Sequence, residues 1–231
     1  MDRPYIICHM VTSVDGKVTG DFLYMPRCEA ATQVYYDINR SYKSNGFICG
    51  RVTMESSFTE GWYPDLEGYG TVNTREDFIP PNASDFYAVC FDPKGKLGWK
   101  ENKIIDDDPG YGGARIIEVL TNNVDNRYLA YLREKEIPYI FAGETEIDVL
   151  IALSKLKQHF GIDALLLEGG SIVNGYFERA DAIDEISLVV APLSADKNDK
   201  PLFMDGKAIA LELKDIKQYN EGVVWMNYRM K

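Results

Sequence analysis

Glu168, Gly169, Gly170 and Ser171 stand where an apolar run, Ala164–Leu167, gives way to Ile172, Val173, Tyr176 and Phe177 at helical spacings of three and four. An acid followed by two glycines at a strand-to-helix junction combines two chemistries. The carboxylate can orient a polar substrate or manage a proton. The glycines turn the backbone sharply and let a ligand approach with no Cβ in the way. The first N–H groups of the helix, with its dipole, then favour a phosphate. A second junction of this kind follows the run Phe47–Cys49, where Gly50 is succeeded by Arg51, Val52 and Thr53. Arg51 offers a planar, always-charged fork suited to phosphate, and Thr53 a hydroxyl and a first-turn N–H. A third stretch, Thr12-Ser13-Val14-Asp15-Gly16-Lys17-Val18, follows the run Tyr5–Val11. As a surface turn it is unremarkable. At the carboxyl end of a central parallel strand it lines a ligand crevice.

The elements that must position these residues alternate between strand and helix. Tyr5–Val11, Phe47–Cys49, Asp85–Phe91, Arg115–Leu120, Tyr139–Ala142, Ala164–Leu167 and Ile186–Ala191 read as buried strands. Glu29–Lys43 reads as a helix with Ala30, Val34, Ile38 and Tyr42 on one stripe, and Asn126–Glu136 as another, stopped by Pro138. Thr145 and Asp148 form a capping box, predicting a helix from Thr145 to Phe160 that Gly161 ends. Leu211–Tyr219 and Val223–Arg229, around Asn220-Glu221-Gly222, read as an antiparallel hairpin. Gly61–Ser84 lacks periodicity and reads as a surface excursion. Asp106-Asp107-Asp108 before Pro109-Gly110 reads as a solvated turn rather than a metal site. The alternation predicts a single α/β domain over residues 1–231 with a mostly parallel sheet.

Composition narrows the function. A chain of 231 residues with 45% hydrophobic content and 12% aromatic is globular. The net charge of −11 argues against nucleic acid or an anionic membrane as partner, but not against a small anion held by local donors. With no membrane-length apolar run and Met1-Asp2-Arg3-Pro4 leading straight into a strand, a cytoplasmic location is expected. Four scattered cysteines without a Cys-x-x-Cys, and only two histidines, predict buried reduced thiols and no metal. His9, inside the first strand, reads as a core histidine. A deaminase zinc signature, a Gly-x-Ser-x-Gly elbow and a Gly-x-Gly-x-x-Gly loop are all missing.

Taken together, the turns resemble the reductase domain of bifunctional riboflavin-biosynthesis deaminase/reductases, within the dihydrofolate-reductase-like superfamily. Gly50-Arg51-Val52-Thr53-Met54-Glu55-Ser56 is similar to the Gly-Arg-x-Thr-x-Glu-Ser turn of that superfamily, and Leu165–Ser171 to its second phosphate turn. Ser13–Lys17, Ile183–Ile186 and Pro201-Leu202-Phe203 are further marks in the same order. The deaminase half is absent, so the resemblance implies a stand-alone reductase. It implies a three-layer α/β fold with a mostly parallel central sheet and an antiparallel C-terminal hairpin, and NADPH as cofactor. The implied reaction reduces the ribosyl group of 2,5-diamino-6-ribosylamino-pyrimidinone 5′-phosphate to ribityl. By the resemblance, Gly50, Arg51, Val52 and Thr53 hold the adenosine phosphates and Gly169, Gly170, Ser171 and Ile172 the pyrophosphate. Thr12 and Val18 border the nicotinamide. Asp15 and Glu168 face the substrate as catalytic and binding acids, and Arg40 is a candidate for its phosphate.

Three alternatives stay open at this level. Dihydrofolate reduction would use Glu29 as the acid at the start of the first helix. A related reductase would act on another small carbonyl or imine. A non-catalytic NADPH-binding protein would keep the cofactor turns alone. The resemblance also implies a homodimer, with Val223, Trp225 and Tyr228 of the hairpin expected to be exposed and suited to the interface.

Overall fold

The computed structural model describes residues 2–81 and 84–231. Met1, at the start of the expected domain, and Asn82 and Ala83, within the expected excursion, lie outside the described residues. The chain forms two compact units. One contains Ser44–Leu165 with the residues up to Pro4; the other contains Tyr5–Lys43 and Leu166–Lys231. Among the described residues there are nine strands, mostly parallel and ending in an antiparallel hairpin.

In the first unit, β2 (Gly46–Gly50), β3 (Tyr87–Phe91), β4 (Arg115–Leu120) and β5 (Tyr139–Phe141) pair in parallel in the order β5-β4-β3-β2. The apolar runs of β2 and β3 are buried throughout, as parallel strands between helices require, and β4 is buried from Ile116 to Leu120 with Glu118 among its apolar residues. The helices are α2 (Arg51–Met54), α3 (Asn126–Glu134) and α4 (Val149–Phe160). Helix α4 starts four residues after Thr145. Asp148 is itself the cap, its carboxylate accepting from the Leu150 and Ile151 N–H groups at 2.9 and 3.0 Å, while Gly161 ends the helix at φ 65°. The excursion after Gly61 is tied to this unit at several points, among them Arg75, which donates to the Asn122 and Val124 carbonyls, and Asp77, which accepts from Phe141 N–H. Phe78 exchanges two backbone hydrogen bonds with Tyr139, at 2.9 and 3.1 Å, and so covers the outer edge of β5.

In the second unit, β1 (Tyr5–Thr12) pairs in parallel with β7 (Glu185–Val190). Strand β9 (Val224–Met230) pairs antiparallel with β7, and β8 (Leu211–Gln218) with β9. Helix α1 (Glu29–Ser41) buries Ala31, Val34, Ile38 and Asn39, a stripe one residue displaced from Ala30 at its start. With Phe22, Cys28, Val189, Ala191 and Val223 these apolar residues form a core. The burial of Val223 corrects the expectation that it is exposed, and Trp225 and Tyr228 are half-buried as well. Trp225 Nε1 donates to Ser187 Oγ at 2.8 Å, which ties the ring down onto β7. The exposed apolar side chains of the hairpin are instead Leu211, Leu213 and Ile216 on β8. His9 is fully buried between Ser187 and the Tyr35 carbonyl, stacked on the Tyr35 ring at 4.4 Å. Strand β6 (Ala164–Leu167) leads into α5 (Ser171–Arg179), which belongs to this unit.

Candidate active site

Strand β6 carries Leu165, Leu166 and Leu167 into the core and leaves Glu168 at its carboxyl end, itself only 7% exposed. Gly169 follows at φ 89°, a conformation that glycine adopts without penalty. A Cβ there would come within 3.3 Å of the Met10 methyl, so a side chain would crowd β1. Gly169 and Gly170 are joined by a cis peptide bond. Gly170 caps α5 with no side-chain hydrogen bond, so no capping side chain occupies the first N–H groups of that helix. Ser171 is buried and donates its hydroxyl to the Pro201 carbonyl at 2.5 Å, whereas Ile172 is 46% exposed.

The Asp15 turn lies in the same unit. Thr12 ends β1, buried, its carbonyl accepting from Ala191 N–H at 2.8 Å. Ser13 then folds the turn back: its N–H donates to the Lys17 carbonyl at 3.0 Å and its Oγ accepts from Lys17 N–H at 2.9 Å. Asp15 is exposed, and its carboxylate accepts from Ala195 N–H at 3.1 Å. The Ser13 hydroxyl, with that N–H, holds the Asp15 carboxyl below the usual carboxylate range. Val18 is buried, donating its N–H to the Lys200 carbonyl at 2.9 Å.

One segment fastens this turn to the glycine turn. Leu202 donates its N–H to the Gly16 carbonyl at 3.2 Å, and its own carbonyl accepts from Asn174 Nδ2 of α5 at 3.2 Å. Met204 N–H donates to the Ser171 carbonyl at 3.0 Å, and Lys17 Nζ to the Asp199 carbonyl at 2.9 Å. Pro201-Leu202-Phe203, legible in the sequence as a motif, is therefore the strap between the two turns. Thr12, Asp15, Val18, Glu168, Gly169, Gly170, Ser171 and Ile172 all belong to this one unit.

Helix α1 adds a residue that the sequence did not reveal. Asn39, 6% exposed, donates its side-chain N–H to Glu168 Oε1 at 2.5 Å. Arg40, the residue expected to serve the substrate, is exposed and pairs with Asp37 of its own helix at 2.7 Å. The available signal for Asn39 was a polar residue next to Ile38 on the buried stripe. Glu29, the acid of the dihydrofolate alternative, is exposed at the first position of α1.

The turn Gly50–Thr53 belongs to the first unit. Gly50 caps α2 in extended conformation with no side-chain hydrogen bond. Arg51 is paired with Glu55, which also accepts from the Tyr63 hydroxyl. Val52 is exposed and Thr53 half-buried. Beneath them Asp92 is fully buried, accepting from the Leu97 N–H at 2.8 Å and from that of Lys96. Burial pushes its carboxyl up, against the pull of those N–H groups and of the Arg51 charge.

Residues 4–225 match the family described as the RibD C-terminal domain. A 2,5-diamino-6-ribosylamino-4(3H)-pyrimidinone 5′-phosphate reductase of Kluyveromyces lactis is 28% identical over 203 residues, covering 82% of this chain and 72% of the relative. A reductase of the same name from Aquifex aeolicus is 25% identical over 213 residues, covering 90% and 85%. The crystal structure of a pyrimidine reductase-like protein from Corynebacterium diphtheriae superposes with a TM-score of 0.67 at 16% identity, covering 99% of this chain and 92% of that one. The fold is the dihydrofolate-reductase-like one that the turns implied.

Proposed function

We propose that this chain, which belongs to the RibD C-terminal domain family, is an NADPH-dependent reductase. In this reading it converts the ribosyl group of 2,5-diamino-6-ribosylamino-pyrimidinone 5′-phosphate to ribityl. That the chain is a reductase rests on its named relatives. The observation that carries the choice of reaction is Glu168, a buried acid held by Asn39 immediately before a glycine turn strapped to the Asp15 turn.

The residues fit a dinucleotide. Gly169 holds a φ of 89° with Met10 close beside it, and α5 begins with no capping side chain, a combination suited to a pyrophosphate. Gly169, Gly170, Ser171 and Ile172 would hold the pyrophosphate, Thr12 and Val18 would border the nicotinamide, and Gly50, Arg51, Val52 and Thr53 would take the adenosine phosphates. Bound there, the nicotinamide supplies a hydride. Asp15 and Glu168 orient the opened ribosyl chain and the amino groups of the pyrimidine by accepting hydrogen bonds, and they manage the proton that accompanies reduction. Arg40 is a candidate for the substrate phosphate. A second copy of the chain is the expected partner, and β8, with Leu211, Leu213 and Ile216 exposed among charged residues, is the strand available to it.

Two measurements test this reading. NADPH at a hundredfold excess over its Kd should stabilise the protein by about 2.7 kcal/mol, roughly 5–10 °C in Tm, with a smaller shift in Arg51→Ala. NADPH oxidation should follow addition of the pyrimidine substrate and not of dihydrofolate. Oxidation with dihydrofolate alone would transfer the assignment to that reaction.

A further inference from the structure

Asn39 is buried in the last turn of α1, on the same stripe as Ala31, Val34 and Ile38. An apolar residue there would pack as its neighbours do. Burying an amide and a carboxylate against each other instead costs more desolvation than an apolar pair of the same shape, so the pair is a weak device for stability alone. What an asparagine brings to a carboxylate is specific. Its N–H fixes one oxygen and favours the charged form, as any donor does. Unlike lysine or arginine, it leaves the negative charge uncancelled. Unlike aspartate, it does not repel.

We infer that Asn39 is a positioning residue for Glu168, holding its carboxylate ionised and in one orientation toward the substrate. The inference rests on reading Glu168 as a substrate-facing acid of the proposed reductase, and adds to it a residue from a third element, α1. Asn39 reaches the Glu168 turn from the end of α1 by this hydrogen bond, while Arg40, one position further on, is exposed and pairs with Asp37.

The test uses Asn39→Leu, which keeps the branching at Cγ without the donor, and Asn39→Asp, which keeps the volume, in the full chain. Loss of a hydrogen bond to a charged group predicts a fall in kcat of about tenfold to a hundredfold for Asn39→Leu, with KM for NADPH unchanged. The acid limb of its pH–rate profile should move to higher pH, and further still in Asn39→Asp, where a like charge faces Glu168. The Glu168 carboxyl carbon, assigned by its disappearance in Glu168→Gln, should titrate at higher pH in both variants by ¹³C NMR. That second readout needs no turnover. A lowered Tm with the Glu168 titration and the acid limb both unmoved would overturn the inference and leave Asn39 a packing residue. A moved titration with full activity in Glu168→Gln would confirm the pair but remove its catalytic purpose, and with it the proposed role of Glu168. A wild type inactive on the pyrimidine but with a moved titration would sink the substrate assignment alone.

Discussion

Glu118 in the first unit and Glu185 in the second are both buried glutamates on strands, at 0% and 7% exposure, yet their surroundings push them in opposite directions. Glu118 accepts from Trp99 Nε1 at 2.5 Å and from the Tyr128 hydroxyl at 3.5 Å, and its Oε2 has no partner. Burial, with the nearby Asp92, drives its carboxyl well above the usual range, inside an aromatic cluster. Glu185 receives Lys214 Nζ at 2.5 Å, the Tyr5 hydroxyl at 2.7 Å and Asn227 Nδ2 at 2.9 Å. Burial raises its carboxyl too, but these three donors outweigh it and bring the group below its ordinary value. Burial by itself does not decide the charge of an acid; the number and charge of the donors do. Glu118 is a polar residue of the core and Glu185 a carboxylate supplied with donors; Glu168, which accepts from Asn39, shares with Glu185 a side-chain amide donor.

The largest effect expected from this contrast is at Glu168. Glu168→Gln keeps the shape and removes the charge, and should lower kcat on the pyrimidine on the order of a hundredfold or more with little change in Tm. An active variant would place Glu168 with Glu118, as a polar residue of the core. His9 sharpens the contrast as a buried group left without any charge. The Tyr35 carbonyl can only accept, so Nε2 carries the proton and Nδ1 accepts from the Ser187 hydroxyl. Burial pushes the imidazole down from 6.5 to about 4. The unfolded chain therefore takes up its proton first as pH falls, and the wild type should lose roughly 3 kcal/mol between about pH 6.5 and 4. Chemical denaturation across that window should show the slope, and His9→Gln should flatten it.

Glu185→Ala leaves three donors without their acceptor and should cost about 1–3 kcal/mol near neutral pH. Because the folded-state value is depressed, the stabilisation by Glu185 is fully present above the unfolded value of about 4.3 and is lost as pH falls through the folded one. The gap between wild type and variant should therefore close in acid. A gap that persists there would mean that Glu185 acts by packing. Glu118→Gln should have the smallest effect and the opposite sign. A raised folded-state value means that wild-type stability declines as pH climbs above about 4.3, so the variant should gain on the order of 1 kcal/mol near neutral pH, about 2–4 °C in Tm. Destabilisation at every pH would show that the acid is needed for its hydrogen bond to Trp99.

Much of the fold was legible because its strands are short apolar runs punctuated by glycine or proline, and both β6 with its glycine turn and the C-terminal hairpin could be placed in this way. The start of α4 was not, because Thr145 and Asp148 are both good caps. Only the structure shows that it is the Asp148 carboxylate which takes the Leu150 and Ile151 N–H groups. Val223 was misplaced as exposed because its burial is settled by Phe22, Cys28 and α1, residues far away in sequence. Of the site, the Asp15 and Glu168 turns carried local signatures, as did the strap Pro201-Leu202-Phe203. Asn39 carried none. Its meaning depends on a partner 129 positions away, which no local pattern on α1 can announce.

The most direct test of the reductase reading is turnover of the ribosylamino-pyrimidinone phosphate with NADPH carrying deuterium at the transferable position of the nicotinamide, followed by mass spectrometry of the product. A ribityl product enriched by one deuterium, formed by the wild type and lost or strongly reduced in Glu168→Gln, is the expected result. Unchanged substrate at saturating NADPH, or a product with no deuterium, would contradict hydride reduction at this site.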